Sequence, residues 1–129
     1  MLHKQQACVV SLWCAFVFAL ALWPYKAPAQ TCVTQAPRYA LTSDTVDWSI
    51  QVATGQSCVR GLRWGNVVLE RIVLTNPPKS GNVQLLGPGF RYTANSGFHG
   101  DDSFSVEVRG FAGKLRGTST IRVAVSVKE

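Results

Sequence analysis

Apolar and polar residues alternate strictly in three stretches of the chain. In "TVDWSIQVA", Val46, Trp48, Ile50 and Val52 share one face, and Asp47, Ser49 and Gln51 share the other. In "SFSVEVRG", Phe104, Val106 and Val108 oppose Ser105, Glu107 and Arg109. In "TIRVAVSVKE", Ile121, Val123, Val125 and Val127 oppose Arg122, Ala124, Ser126 and Lys128. A period of two with one apolar face predicts strands buried on one side only. No window after Gln30 carries the i, i+3, i+4, i+7 apolar face of a helix, and Gly and Pro recur throughout.

Weaker signals fill the gaps. "NVVLERIVLT", Asn66 to Thr75, is rich in β-branched residues, but Glu70-Arg71 interrupts it, which predicts a bulge or a crossing between sheets. Pro77-Pro78 ends it, because proline cannot donate to a ladder. "NVQLL" and "FRYTA" read as two short strands joined at Gly87-Pro88-Gly89. A short segment near Thr31 to Val33 makes the last. About seven short strands with regular turn signals predict an all-β protein, a β-sandwich of antiparallel strands. Its core is expected at Trp48, Ile50, Phe90, Tyr92, Phe98, Phe104, Val106, Val123 and Val125.

The first thirty residues change this picture. A short polar start with Lys4, an apolar run from Ala7 to Trp23 and the small-residue site Ala27-Pro28-Ala29 have the form of a cleaved secretory signal. The alternative is an uncleaved anchor, although the run is near the lower limit for spanning a bilayer. The expectation is a signal peptide over 1–29 and one domain over 30–129, exported to the periplasm, extracellular space or cell surface, with no transmembrane segment after cleavage. Lys4 and Lys26 leave with the signal, so eleven basic residues face seven acidic ones in the mature domain. That balance is too mild to argue nucleic-acid binding, and none is expected.

Cysteine usage agrees with export. Cys8 and Cys14 fall in the signal, leaving Cys32 and Cys58 as a pair expected to form a disulfide in an oxidising compartment. A free or metal-binding pair is the alternative, but no other ligand-type residue is near either cysteine in sequence. A closed loop of that length contributes ~3–4 kcal/mol in the chain-entropy model.

The stretch from Pro77 to Val127 resembles the bacterial Ig-like and cadherin-like repeats of surface proteins. The matching positions are Pro78, Gly81, Phe90, Tyr92, Thr93, Phe98, Gly100, Asp102, Ser103, Phe104 and the alternating run from Ile121 to Val127. The resemblance covers about half the mature chain and implies an Ig-like sandwich. Those repeats have an acidic turn before the last strand, where this chain has the basic "RGFAGKLRG". A calcium ion wants six or more oxygen ligands, and this turn lacks the carboxylates. No cofactor or metal is therefore expected.

Two clusters are candidates for chemistry. "SGFHGDDSF" brings together Ser96, His99, Asp101 and Asp102, the residue types of a catalytic or metal site. Residues that close on an extended chain rarely converge, and strand neighbours point to opposite faces. The expected role is structural: a corner in which Gly100 supplies an unusual backbone angle, Asp102 accepts turn N–H groups, and Phe98 and Phe104 anchor the core. No catalytic residue is expected, and the chain reads as a non-enzyme. The second cluster is "CVRGLRWGN" with "RGFAGKLRG". Arg60, Arg63, Trp64, Lys114 and Arg116 would form a basic surface with one aromatic if both loops met at one end of the sandwich. In the competing reading Trp64 caps the core edge and the charges are simply solvated.

Two functions are consistent with these features. One is a small exported non-catalytic module for protein interaction, adhesion or cell-envelope structure, with an unknown protein partner and an edge strand as the means of contact. The other is a binding protein for an anionic envelope glycan or lipid, acting through the loops around Trp64 and Lys114.

Overall fold

A computed structural model describes residues 32–129. The expected signal segment, with Cys8 and Cys14, lies outside the described residues. The chain forms eight strands in order: β1 Val33–Gln35, β2 Asp44–Ala53, β3 Ser57–Gly61, β4 Val68–Asn76, β5 Gly81–Leu86, β6 Gly89–Ala94, β7 Gly100–Ala112 and β8 Leu115–Lys128. They build a five-stranded sheet ordered β1-β2-β8-β7-β4 and a three-stranded sheet ordered β3-β6-β5. There is no helix among the described residues, hence none long and apolar enough to cross a membrane.

The two sheets face each other across a core supplied by the alternating positions. Trp48, Ile50 and Val52 of β2, Phe104, Val106 and Val108 of β7, and Ile121, Val123, Val125 and Val127 of β8 are all buried. Cys58, Phe90, Tyr92 and Ala94 close over them from the smaller sheet. Phe104 sits at the centre, edge-on to Phe90 at 5.1 Å and stacked on Tyr92 at 5.9 Å between ring centroids. Of the expected core, Phe98 alone is only half-buried, packing against the cluster from the β6–β7 connection.

Three features differ from the expectation. The strand count is eight rather than about seven, because β3 was not legible: five residues containing Gly61 are too few to display an alternation. The pairing is not wholly antiparallel. β2 runs parallel to β8 from Asp44↔Ser119 to Ala53↔Lys128. A parallel pair needs a long connection, and here the rest of the domain is that connection. Finally, Gly100 and Asp102 lie within β7, not in a turn before it; the turn ends at His99. Gly100 nonetheless has φ +131°, a backbone angle that L side chains resist. Of the bulge or sheet crossing expected at Glu70-Arg71, it is the bulge that is present, since β4 shifts register against β7 between Leu69 and Arg71.

Sheets of five and three strands cannot cover each other, and the excess must be buried some other way. On one side a crossing segment does this with Tyr39 and Leu41, while Leu62 and Val67 do it from the β3–β4 connection; all four are buried. The Tyr39 hydroxyl donates to the Leu62 carbonyl at 2.7 Å. Leu41 and Ser43 adopt left-handed backbone angles, φ 58° and 60°, held by a polar web. Asp44 accepts N–H groups of Ala40 and Thr42, and Ser119 Oγ donates to Asp44 Oδ1 at 2.5 Å while accepting from Leu41 N. Gly117 makes this crossing possible, since a Cβ there would stand 2.0 Å from the Leu41 carbonyl oxygen.

The Cys32–Cys58 disulfide joins the start of β1 to β3, and so ties the large sheet to the small one. Their Cα atoms are 5.7 Å apart, within the ordinary range for a bridge.

Candidate functional site

Three places on the domain could hold a site: the His–Asp cluster, the basic loops, and the open side of the sandwich at β4.

The His–Asp cluster is dispersed. His99 is 62% exposed, and its nearest charged partner is Glu129 at 3.6 Å. Among the described residues no hydrogen bond or ion pair joins it to Ser96, Asp101 or Asp102, and no group of three potential metal ligands converges. Asp102 instead forms a bracket between elements. It accepts the backbone N–H groups of Lys79, Ser80 and Ser103, at 3.0, 3.0 and 2.9 Å, and the Tyr92 hydroxyl at 2.9 Å. Only the Ser103 bond is local, and the other three reach the β4–β5 connection and β6. Burial alone would raise this carboxyl, but the donated N–H and O–H groups outweigh it and hold Asp102 below the usual range. The same burial, with the Asp102 hydrogen bond and charge, pushes the Tyr92 phenol up. Sequence reasoning placed Asp102 as an acceptor of turn N–H groups and Tyr92 in the core, and gave no signal of the bond between them.

The basic loops do lie at one end of the sandwich. The register Val68↔Phe111 sets the end of the β3–β4 connection beside the β7–β8 turn that carries Lys114. Their charges do not form one free patch. Arg60 lies over the Trp48 ring at 5.9 Å, and Arg63 donates to the Val67 carbonyl at 3.1 Å. Arg116 pairs with Glu70 and lies over the Phe111 ring. Trp64 is half-buried against the core, edge-on to Tyr39, and the Arg38 guanidinium covers it at 5.1 Å. Arg38 was not visible as a partner from sequence, since the contact joins residues twenty-six apart that only the crossing brings together. Burial raises the Tyr39 phenol to about 12, an effect that the Arg63 charge partly offsets.

The open side has the more distinctive geometry. β4 is the last strand of the large sheet, paired with β7 alone. Its core-facing Leu69, Ile72 and Leu74 are only partly buried, because β5, the edge of the small sheet, does not close over them. Between β4 and the β5–β6 hairpin runs a cleft of about 450 Å³, lined by Val68, Leu69, Ile72, Leu85 and Pro88 together with the charged Arg63, Glu70 and Arg71. Val68 and Leu85, which both line it, are 40% and 36% exposed. Sequence reasoning missed this site. Its residues read as an ordinary, interrupted strand, and only the mismatch in sheet width leaves them uncovered.

No family model matches the chain, and no curated protein does either.

Proposed function

We propose that this chain is an Ig-like, non-catalytic module of the exported cell envelope, and that it acts by receiving an extended segment of a partner protein along β4. The observation that carries the reading is the β4 edge itself: nine residues with backbone groups unpaired on one side among the described residues, next to a cleft with both apolar and charged residues in its lining. An edge strand presents a row of N–H and C=O groups that another chain can complete, and side-chain pockets beside it add specificity.

The strand order supports the Ig-like part of the proposal. An immunoglobulin sandwich sets its second, fifth and fourth strands in one sheet and its third, sixth and seventh in the other. The orders β3-β6-β5 and β4-β7-β8 follow that plan when the N-terminal β1 and β2 together count as the first strand. Here that first strand pairs with the last, not with β3. The Cys32–Cys58 bridge is compatible with export. The anionic glycan or lipid reading draws less support, since four of its five residues, Arg60, Arg63, Trp64 and Arg116, are engaged within the domain.

The test is site-specific photocrosslinking in the producing cell. A photoreactive residue at Val68, Ile72 or Leu85 is expected to give the same discrete adduct, and one at Val59 on β3 none. Equal adducts at Val59, or none at the three cleft positions, would sink the proposal.

A further inference from the structure

The outer face of β4 carries a feature that the fold alone does not require. Arg71 stands directly opposite Arg109 of β7 in the ladder. Like charges at opposed positions destabilise a sheet, yet neither arginine has an ion pair among the described residues. Glu70, next to Arg71 in the chain, is already matched by Arg116. Glu107 remains, facing Val73 two pairs further along on the same face, and lies beyond ion-pair distance of both arginines. Arg71, Arg109, Glu107, Val73 and Thr75 together line a hollow of about 340 Å³ on this face. Arg71 also lines the cleft around the edge of the same strand. It is therefore the residue at which both surfaces meet.

Register decides what an added strand would present. Ile72 and Leu74 oppose the buried Val108 and Val106, so they face the core side; Arg71 and Val73 oppose Arg109 and Glu107 and face outward. A strand laid along β4 alternates in the same way, one residue over the cleft and the next beside the arginines. Arg63, Arg71 and Arg109 outnumber Glu107 once Glu70 is paired with Arg116, so the surroundings of that strand are net positive.

We infer that the partner segment is an extended peptide in which apolar residues alternate with acidic ones, the apolar side chains entering the cleft over Ile72 and Leu85 and a carboxylate completing the Arg71–Arg109 pair. A guanidinium pair is suited to a carboxylate, which each arginine can bind through two N–H groups. This inference rests on the edge-strand reading above and specifies its partner.

The experiment compares two end-capped nine-residue peptides, one alternating valine with glutamate and one alternating valine with lysine. Binding is followed by anisotropy of the labelled peptide, and its place by hydrogen exchange of the β4 amides in the disulfide-intact domain. The glutamate peptide is expected to protect β4 and to bind at least about tenfold more tightly at low ionic strength, with the gap narrowing as salt screens the charges. Because Arg71 and Arg109 are both exposed, the R71E/R109E double variant should fold normally and reverse the preference. If neither peptide protects β4, the edge reading fails and this inference with it. If both protect it equally, or the double variant keeps the preference, the edge reading stands and the acidic partner is overturned. Protection of β4 that grows with protein concentration in the absence of peptide would make a second copy the occupant, and would also overturn it.

Discussion

Replacing Asp102 by alanine should destabilise the domain out of proportion to its half-exposed position. The carboxylate accepts four hydrogen bonds, and removing it leaves their donors in unequal circumstances. Lys79 and Ser103 are exposed, so water can replace the lost acceptor at small cost. The Ser80 N–H and the Tyr92 hydroxyl are part-buried, and the Tyr92 residue as a whole is fully covered. A hydrogen bond to a charged group contributes ~1.5–3 kcal/mol when its donor cannot be rehydrated. With some relaxation, the expected loss is about 2–4 kcal/mol, a large share of the stability of a domain this size. The assay is equilibrium urea unfolding of the disulfide-intact protein, with Asp102→Asn and Tyr92→Phe completing a double-mutant cycle. Asparagine keeps an acceptor without the charge, so about half the loss is expected.

The pH dependence gives a second handle on the same residue. The folded-state carboxyl is held below its unfolded value of about 3.9. Its stabilisation is thus complete above that value and disappears as pH falls through the lower, folded one. Asp44, similarly lowered by its serine and backbone donors against the effect of burial, adds to the same acid limb. The Asp102→Ala protein should therefore lose less stability than wild type on acidification below about pH 4. An alanine variant within ~0.5 kcal/mol of wild type, or one with an unchanged acid limb, would refute the bracket as the reason for this aspartate.

Other outcomes follow from particular contacts. Gly110→Ala would put a Cβ 2.1 Å from the Val68 carbonyl oxygen, backbone against backbone, so urea unfolding should show a loss of about 3 kcal/mol or more. Reducing the Cys32–Cys58 bridge, or replacing both cysteines by serine, should cost about 3–4 kcal/mol, read as a lower unfolding midpoint with little change in circular dichroism under native conditions. Tyr39→Phe removes the bond to the Leu62 carbonyl and should cost about 1 kcal/mol in urea unfolding. The Tyr39 phenol titrates near 12 when folded, above its unfolded value of about 10. Its contribution is full below the unfolded value and is lost as pH rises through the folded one, so spectrophotometric titration should find one fewer late phenol in Tyr39→Phe than in wild type, Tyr92 remaining late in both.

What the sequence determined by itself is the class of fold and most of the core. Alternation in β2, β7 and β8 names the buried residues directly, because side chains on a strand change sides at every position and only one side meets the core. The bulge at Glu70 was legible for the same reason, as a break in that alternation. The cysteine pair could be read from its isolation. What alternation cannot encode is the neighbour of each strand. The parallel pairing of β2 with β8, the crossing by Tyr39 and Leu41, and the reach of Asp102 to Lys79 and Ser80 all join residues far apart in sequence. The candidate site belongs to this second kind. Trp64 and Lys114 announced themselves by residue type, yet the structure engages most of the loop charges internally. Val68, Ile72, Leu85 and Arg71 carried no such signal. They matter because five strands lie over three, which leaves one edge uncovered, and that mismatch exists only once the sheets have packed.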